Sequence, residues 1–217
     1  MTILLIGVNV LVSIWQWVLP GESGRTLVQA AALIPARLGG SAPIPGIAPA
    51  LTLLTSQFLH AGPLHLGGNM LFLWIFGNNV EDELGSFRFL TFYLLSGVAA
   101  GLVHYASDPA STIPTVGASG AISGVLGAYA FLFPRARIQT LVFLFFYISV
   151  IPIPALLWVG IWFGIQLLQG AASGGAGGGV AWFAHIGGLL AGVVLLPFFR
   201  RRRRAARVEP FSSSWRL

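Results

Sequence analysis

Ser119 sits in Gly117-Ala118-Ser119-Gly120, where a polar loop gives way to an uncharged apolar run, and His185 sits in Ala184-His185-Ile186-Gly187-Gly188, near the start of another such run. A serine hydroxyl becomes a useful nucleophile when a neighbouring base takes its proton, and histidine titrates in the range that suits this exchange. The pair therefore predicts acyl-transfer chemistry on one condition: the imidazole must come within about 3 Å of the hydroxyl. Taken alone, the Gly-Ala-Ser-Gly stretch fits small-residue helix packing better than catalysis, because short motifs occur often by chance. Its weight depends on the partners that the rest of the chain supplies.

Those partners are few. His65 and Asn69 lie four apart, so one helix face would carry both, placed to donate hydrogen bonds to an oxyanion beside the Ser119 backbone N–H. A carboxylate to orient His185 is missing. The only acid after it is Glu209, while Glu81, Asp82 and Glu83 cluster at the end of a different apolar run and Asp108 falls in a loop. The expected machinery is thus a Ser–His dyad. Lysine and cysteine are both absent, which removes a Ser–Lys pair, a thiolate nucleophile and cysteine-bound metal. With no H-E-x-x-H and no acidic ligands beside the histidines, neither a metal nor any other cofactor is expected.

The elements that must position these residues are membrane helices. Of 217 residues, 56% are apolar and only 8% charged, and the mean hydropathy is +0.83, a balance foreign to soluble domains of this size. The expected fold class is all-α, a polytopic bundle of six spans. Thr2 to Leu19 lacks a basic n-region and reads as the first span rather than a cleaved signal peptide. Pro20 to Pro49, rich in proline and glycine, belongs outside the bilayer core, with Thr26 to Leu38 able to lie in the interface. Leu64 to Val80, Phe89 to Ala106 and Gly117 to Phe133 follow as spans two to four. Ile138 to Gln169 is too long for one upright helix and too short for two. Pro152 and Pro154 divide it, leaving Pro154 to Gln169 as the fifth span and an interfacial or partly re-entrant piece before it. A flexible loop, Gly170 to Gly179, leads to the sixth span, Val180 to Phe199. Residues 1–199 then form one membrane domain, and 200–217 a basic cytoplasmic tail without regular structure.

Arginine placement orients the bundle. Ten of the twelve arginines fall on one side if both termini are cytoplasmic, with only Arg25 and Arg37 on the other. The run Arg200 to Arg204 then anchors the tail to anionic headgroups, and nucleic acid is not an expected partner. Ser119 lies 135 − 119 = 16 residues before Arg135, and His185 lies 200 − 185 = 15 before Arg200. At 1.5 Å per residue both stand about 22 to 24 Å from the cytoplasmic edge, with Asn69 at about 18 Å and His65 one turn higher. Glycines 117, 120, 124 and 127, and the set Ala184, Gly188 and Gly192, would let the fourth and sixth helices approach closely.

Three separated motifs, Gly117-Ala118-Ser119-Gly120, the His60, His65, Asn69 series and Ala184-His185-Ile186-Gly187-Gly188, together resemble the rhomboid family of intramembrane serine proteases, over about Thr2 to Phe199. The resemblance implies Ser119 as nucleophile, His185 as general base and acid, and His65, Asn69 and the Ser119 N–H as oxyanion donors. His60 matches the family's outer histidine and would support the site, as would Gly117, Gly120 and Gly188 by packing. It implies a membrane-embedded first loop, a substrate gate at the fifth span, and single-span membrane proteins as substrates. Two positions depart from the family pattern. Some members carry, four residues after the nucleophile, an aromatic ring against which the histidine packs, and here that position is Ser123. A Trp-Arg pair common in the first loop is replaced by Leu51-Thr52-Leu53-Leu54-Thr55. The competing readings are a non-catalytic rhomboid-like protein that binds or escorts membrane clients, which predicts loss of a dyad member, and a proton-relaying channel, which lacks intramembrane acids.

Overall fold

The computed structural model describes residues 1–43, 45–144, 146–172 and 181–201. Its helices are α1 (Thr2–Val18), α2 (Gly21–Ala31), α3 (Pro35–Leu38), α4 (Thr52–Thr55), α5 (Pro63–Leu84), α6 (Ser86–Ser107), α7 (Ser119–Leu132), α8 (Ala155–Ala172) and α9 (Trp182–Phe199). Between α7 and α8 run two strands, β1 (Arg137–Leu144) and β2 (Tyr147–Pro154). Most of the Gly170 to Gly179 loop and the tail beyond Arg201 lie outside the described residues.

The buried faces of the helices carry their polar residues among apolar ones, and the outward faces are apolar. On α1, Thr2, Asn9 and Ser13 are buried while Ile3, Leu4, Leu11 and Val18 are exposed. On α5 the stripe Leu66, Asn69, Met70, Leu73, Phe76 and Val80 faces the core, and Leu64, Leu71 and Trp74 face outward. This is the arrangement a hydrocarbon solvent requires. By length and composition, α6 and α9 could each cross a membrane, and shorter apolar helices occur at Thr2–Val18, Ser119–Leu132 and Ala155–Ile165.

At the centre is α7, with ten of its fourteen residues buried. It has no charged residue, and a helix that is apolar on all sides belongs inside a bundle. Its glycines bring neighbouring backbones into contact. A Cβ on Gly188 would strike the Gly120 carbonyl oxygen, and one on Gly192 the Gly124 carbonyl oxygen. From α6, Ala100 closes on Gly120 and Ser96 on Gly124, so α6, α7 and α9 meet along one seam of small side chains.

The all-helical expectation is corrected by the hairpin. β1 and β2 pair antiparallel, from Arg137 opposite Pro154 to Leu144 opposite Tyr147. The segment is rich in β-branched and aromatic residues (Ile138, Thr140, Val142, Phe143, Tyr147, Ile148, Val150, Ile151, Ile153), which suit a pleated ribbon. Pro152 and Pro154 exclude a helix, yet a two-stranded ribbon has open edges where proline's missing donor costs nothing.

The proline-rich segment after α1 is firmly anchored. Arg37 is 4% exposed and donates to the carbonyls of Gln29 (3.1 Å), Ala30 (2.8 Å) and Ile47. It thereby caps the carbonyl end of α2, which otherwise has no intrahelical partner. Thr55 Oγ1 donates to Ala31 O at 2.6 Å, and Gln57 Nε2 donates to Leu53 O at 2.8 Å while its side chain fills the space over Gly97. These contacts do the anchoring for which the sequence offers no Trp-Arg pair. Arg37→Met should lower stability by about 2 kcal/mol, since it strands three carbonyls. An unchanged midpoint of thermal or SDS-induced unfolding would refute the anchoring.

Candidate active site

Ser119 is the first residue of α7, so its N–H has no carbonyl partner within that helix and faces the loop side. The loop before it is held by the anchored segment. Leu33 and Thr115 exchange backbone hydrogen bonds at 3.1 and 2.8 Å, and Gly117 N–H donates to Ser56 O at 2.9 Å. Gly117 has φ of 127°, a conformation that favours glycine, and a Cβ there would lie 2.8 to 2.9 Å from the His65 ring. One glycine thus satisfies both the sharp entry into α7 and the close approach of α5.

Across the small-residue seam, His185 Nε2 meets Ser119 Oγ at 2.8 Å. This is the proton-transfer distance that the two motifs require. The imidazole is flanked by two indoles: Trp162 of α8, with ring centroids 5.8 Å apart and planes 37° apart, and Trp182, edge-on at 6.2 Å and 85°.

Asn69 and His65 converge on the same place. The Gly117 Cβ position lies 3.5 Å from Asn69 Nδ2, and that amide is buried with no hydrogen-bond partner among the described residues. A buried donor left unpaired is costly unless something comes to accept from it. His65 Nδ1 accepts from the Ala61 N–H at 3.3 Å, which leaves the ring proton on Nε2, the nitrogen that faces Gly117. Both side chains therefore present N–H groups toward the mouth of α7.

His60 does not reach this cavity. Its ring packs edge-on behind His65, with centroids 5.2 Å apart, and is fully buried. The polar interruptions of α1 explain why. Ser13 Oγ lies 3.0 Å from His60 Nδ1, Gln16 bonds both the N–H and the carbonyl of His60, and Trp17 Nε1 donates to that carbonyl. Burial, and next the neighbouring His65, bring the His60 imidazole down to about 4, so it stays neutral and serves as a fixed support.

Ser119, His185, His65 and Asn69 line one cavity of about 690 Å³. One part of its wall is apolar, with Leu64, Gly68 and Phe72 of α5 beside Trp162 of α8, and another part is polar, with Ser107, Asp108, Ser111 and Thr115. His104 also lines it and meets Thr115 Oγ1 at 2.9 Å. Neither His104 nor Trp162 is singled out by the motifs. The only sequence signal is position, a histidine near the outer end of the third apolar run and a tryptophan one turn after Trp158.

The family model described as Rhomboid domain matches residues 48–202. Rhomboid protein 1, mitochondrial, of Saccharomyces cerevisiae is 34% identical over 153 residues, 66% of this chain and 40% of that protein. Rhomboid protease GluP of Bacillus subtilis is 44% identical over 80 residues, 37% of this chain and 15% of that protein. The human presenilin-associated rhomboid-like protein, mitochondrial, is 36% identical over 88 residues, 40% of this chain and 23% of that protein. The chain spans less than half the length of each of these relatives.

Proposed function

Since the chain belongs to the rhomboid family of membrane proteins, we propose that it is an intramembrane serine endopeptidase that cleaves transmembrane segments of other proteins with a Ser119–His185 dyad. The observation that carries this reading is the 2.8 Å contact between Ser119 Oγ and His185 Nε2 at the wall of a cavity that Asn69 also lines, its amide without a hydrogen-bond partner among the described residues.

In this reading Ser119 Oγ attacks the scissile carbonyl carbon while His185 Nε2 takes the hydroxyl proton. The carbonyl oxygen becomes an oxyanion, which accepts from the Ser119 N–H, Asn69 Nδ2 and His65 Nε2. As the C–N bond breaks, His185 returns the proton to the departing amine and leaves an acyl ester on Ser119. Water then attacks the ester, gives a proton to His185, and releases the acid as Ser119 regains its hydrogen. The polar wall formed by Ser107, Asp108, Ser111 and Thr115 offers that water a route, and the apolar wall between α5 and α8 suits an entering substrate helix.

We assign α1, α5, α6, α7, α8 and α9 as six spans of one domain over residues 1–199, with both termini cytoplasmic, in a bacterial-type cell membrane. The fourteen residues of α7 rise 14 × 1.5, about 21 Å, against a hydrocarbon core of about 30 Å. Ser119 then lies below the outer surface, where a peptide bond inside a membrane helix would meet it.

Labelling with a serine-reactive fluorophosphonate tests the assignment. The purified wild type should be modified at Ser119 alone and Ser119→Ala should stay blank. A folded wild type that resists the reagent would favour the client-binding reading.

A further inference from the structure

The aromatic ring that packs against the histidine in some rhomboid proteases is absent at Ser123, and the structure supplies a substitute from another helix. Ser123 is 1% exposed, its hydroxyl is tied to Ser119 O at 2.7 Å, and a Cβ on Gly188 would lie 3.1 Å from Ser123 Cβ. The α7–α9 seam is too close there to hold a ring. His185 leans instead on Trp162 of α8.

We propose that Trp162 is a positioning residue that holds the His185 imidazole in line with Ser119. The inference rests on the dyad reading above. Trp182 rides on the same helix as His185, in a T-shaped arrangement with it, so it moves with the base and does not brace it from the α8 side. Trp162 does, because it reaches the imidazole from outside α9, in a tilted ring contact with planes 37° apart. One turn earlier, Trp158 packs on Phe72 and Phe76 of α5 at 5.7 and 5.9 Å. The two tryptophans therefore dock α8 twice, once against α5 and once against the base. Much of the rest of α8 faces outward: Leu156, Leu157, Ile161, Ile165 and Leu168 are all exposed, and Val159 belongs to a small cluster with Ala130 and Leu189. Any outward movement of α8 withdraws the Trp162 ring from His185, which couples the alignment of the dyad to the seating of α8.

The test compares Trp162→Met, which keeps apolar bulk without a ring, and Trp162→Phe, which keeps a ring, in the full chain. The first readout is the rate of Ser119 labelling by a small fluorophosphonate, which needs no docked membrane substrate. Trp162→Met should slow it about tenfold, the scale of one aromatic contact, and Trp162→Phe should stay within about twofold of wild type. For a model membrane substrate, kcat should fall and KM hold. The second readout is the His185 Hε1 resonance in protein carrying 13C-labelled histidine, assigned with His185→Gln. It should move in Trp162→Met while His60 and His65 stay in place, because only His185 feels that ring current. If Trp162→Met does not fold, Trp162→Leu replaces it with the same expectations. Unchanged labelling of folded Trp162→Met would overturn the inference while leaving the dyad intact, since loss of the ring current alone moves the His185 signal. A wild type that does not label at Ser119 would overturn the dyad and this inference with it.

Discussion

Ser119→Ala and His185→Ala should each lower cleavage of a single-span membrane substrate by about ten-thousand-fold or more, and the double variant should be no worse than either. The two groups act through one hydrogen bond, so removing either partner removes the same step. Without the hydroxyl there is nothing to form the acyl ester. Without the imidazole the hydroxyl keeps its proton. Neither change should unfold the bundle, because both side chains border a cavity and the seam beneath them is built from glycine and alanine. Cleavage measured with purified variants in liposomes, beside their unfolding midpoints, decides the matter. Substantial turnover by either folded variant would falsify the dyad.

The second large effect concerns a residue that has no chemistry of its own. Gly188→Ala adds a single methyl group where the Gly120 carbonyl oxygen already sits, with the Gly120 carbonyl carbon 3.0 Å away. A backbone carbonyl cannot swing aside as a side chain can, so α9 must retreat from α7. His185 lies one turn before Gly188 and Ser119 one residue before Gly120, so the retreat opens the dyad directly. A displacement of on the order of 1 Å at a reacting pair can cost about a hundredfold in rate. Gly188→Ala should therefore lose at least about a hundredfold in both cleavage and fluorophosphonate labelling, with overpacking adding about 1 to 3 kcal/mol of destabilisation. Gly160→Ala and Gly164→Ala are the controls, since a Cβ at either α8 position meets nothing within 4 Å. Both should be neutral or slightly stabilising. If Gly188→Ala labels at the wild-type rate, helix proximity does not set the dyad geometry.

How far the sequence reveals this arrangement depends on the kind of signal each residue leaves. Ser119 and His185 are legible because each precedes an arginine by a similar count along an apolar run, 16 residues to Arg135 and 15 to Arg200, which puts both near one level of adjacent helices. Glycine spacing on the fourth and sixth runs adds the lateral contact that depth alone does not give. The hairpin over Arg137–Pro154 escapes for a related reason: an apolar run reports burial, not period, and strand and helix are both compatible with it until pairing is seen. Arg37 is read from its charge as a marker of sidedness, whereas in the fold its guanidinium gathers three carbonyls from residues seven to ten positions away. Trp162 resembles any tryptophan of a membrane helix. Its role appears only when α8 is laid against α9, a juxtaposition that no local pattern encodes.

The grip of α1 on His60 separates two notions of where this domain starts. The family match opens at residue 48, after α1 and after Arg37. Yet Ser13, Gln16 and Trp17 hold the loop from which α5 departs, and through it the ring stacked behind His65. Resemblance persists where reacting groups constrain the choice of residue. A brace, by contrast, can be rebuilt from many different side chains. The stretch that the family model matches is therefore shorter than the part that keeps the site in shape, and the difference holds α1, α2 and α3.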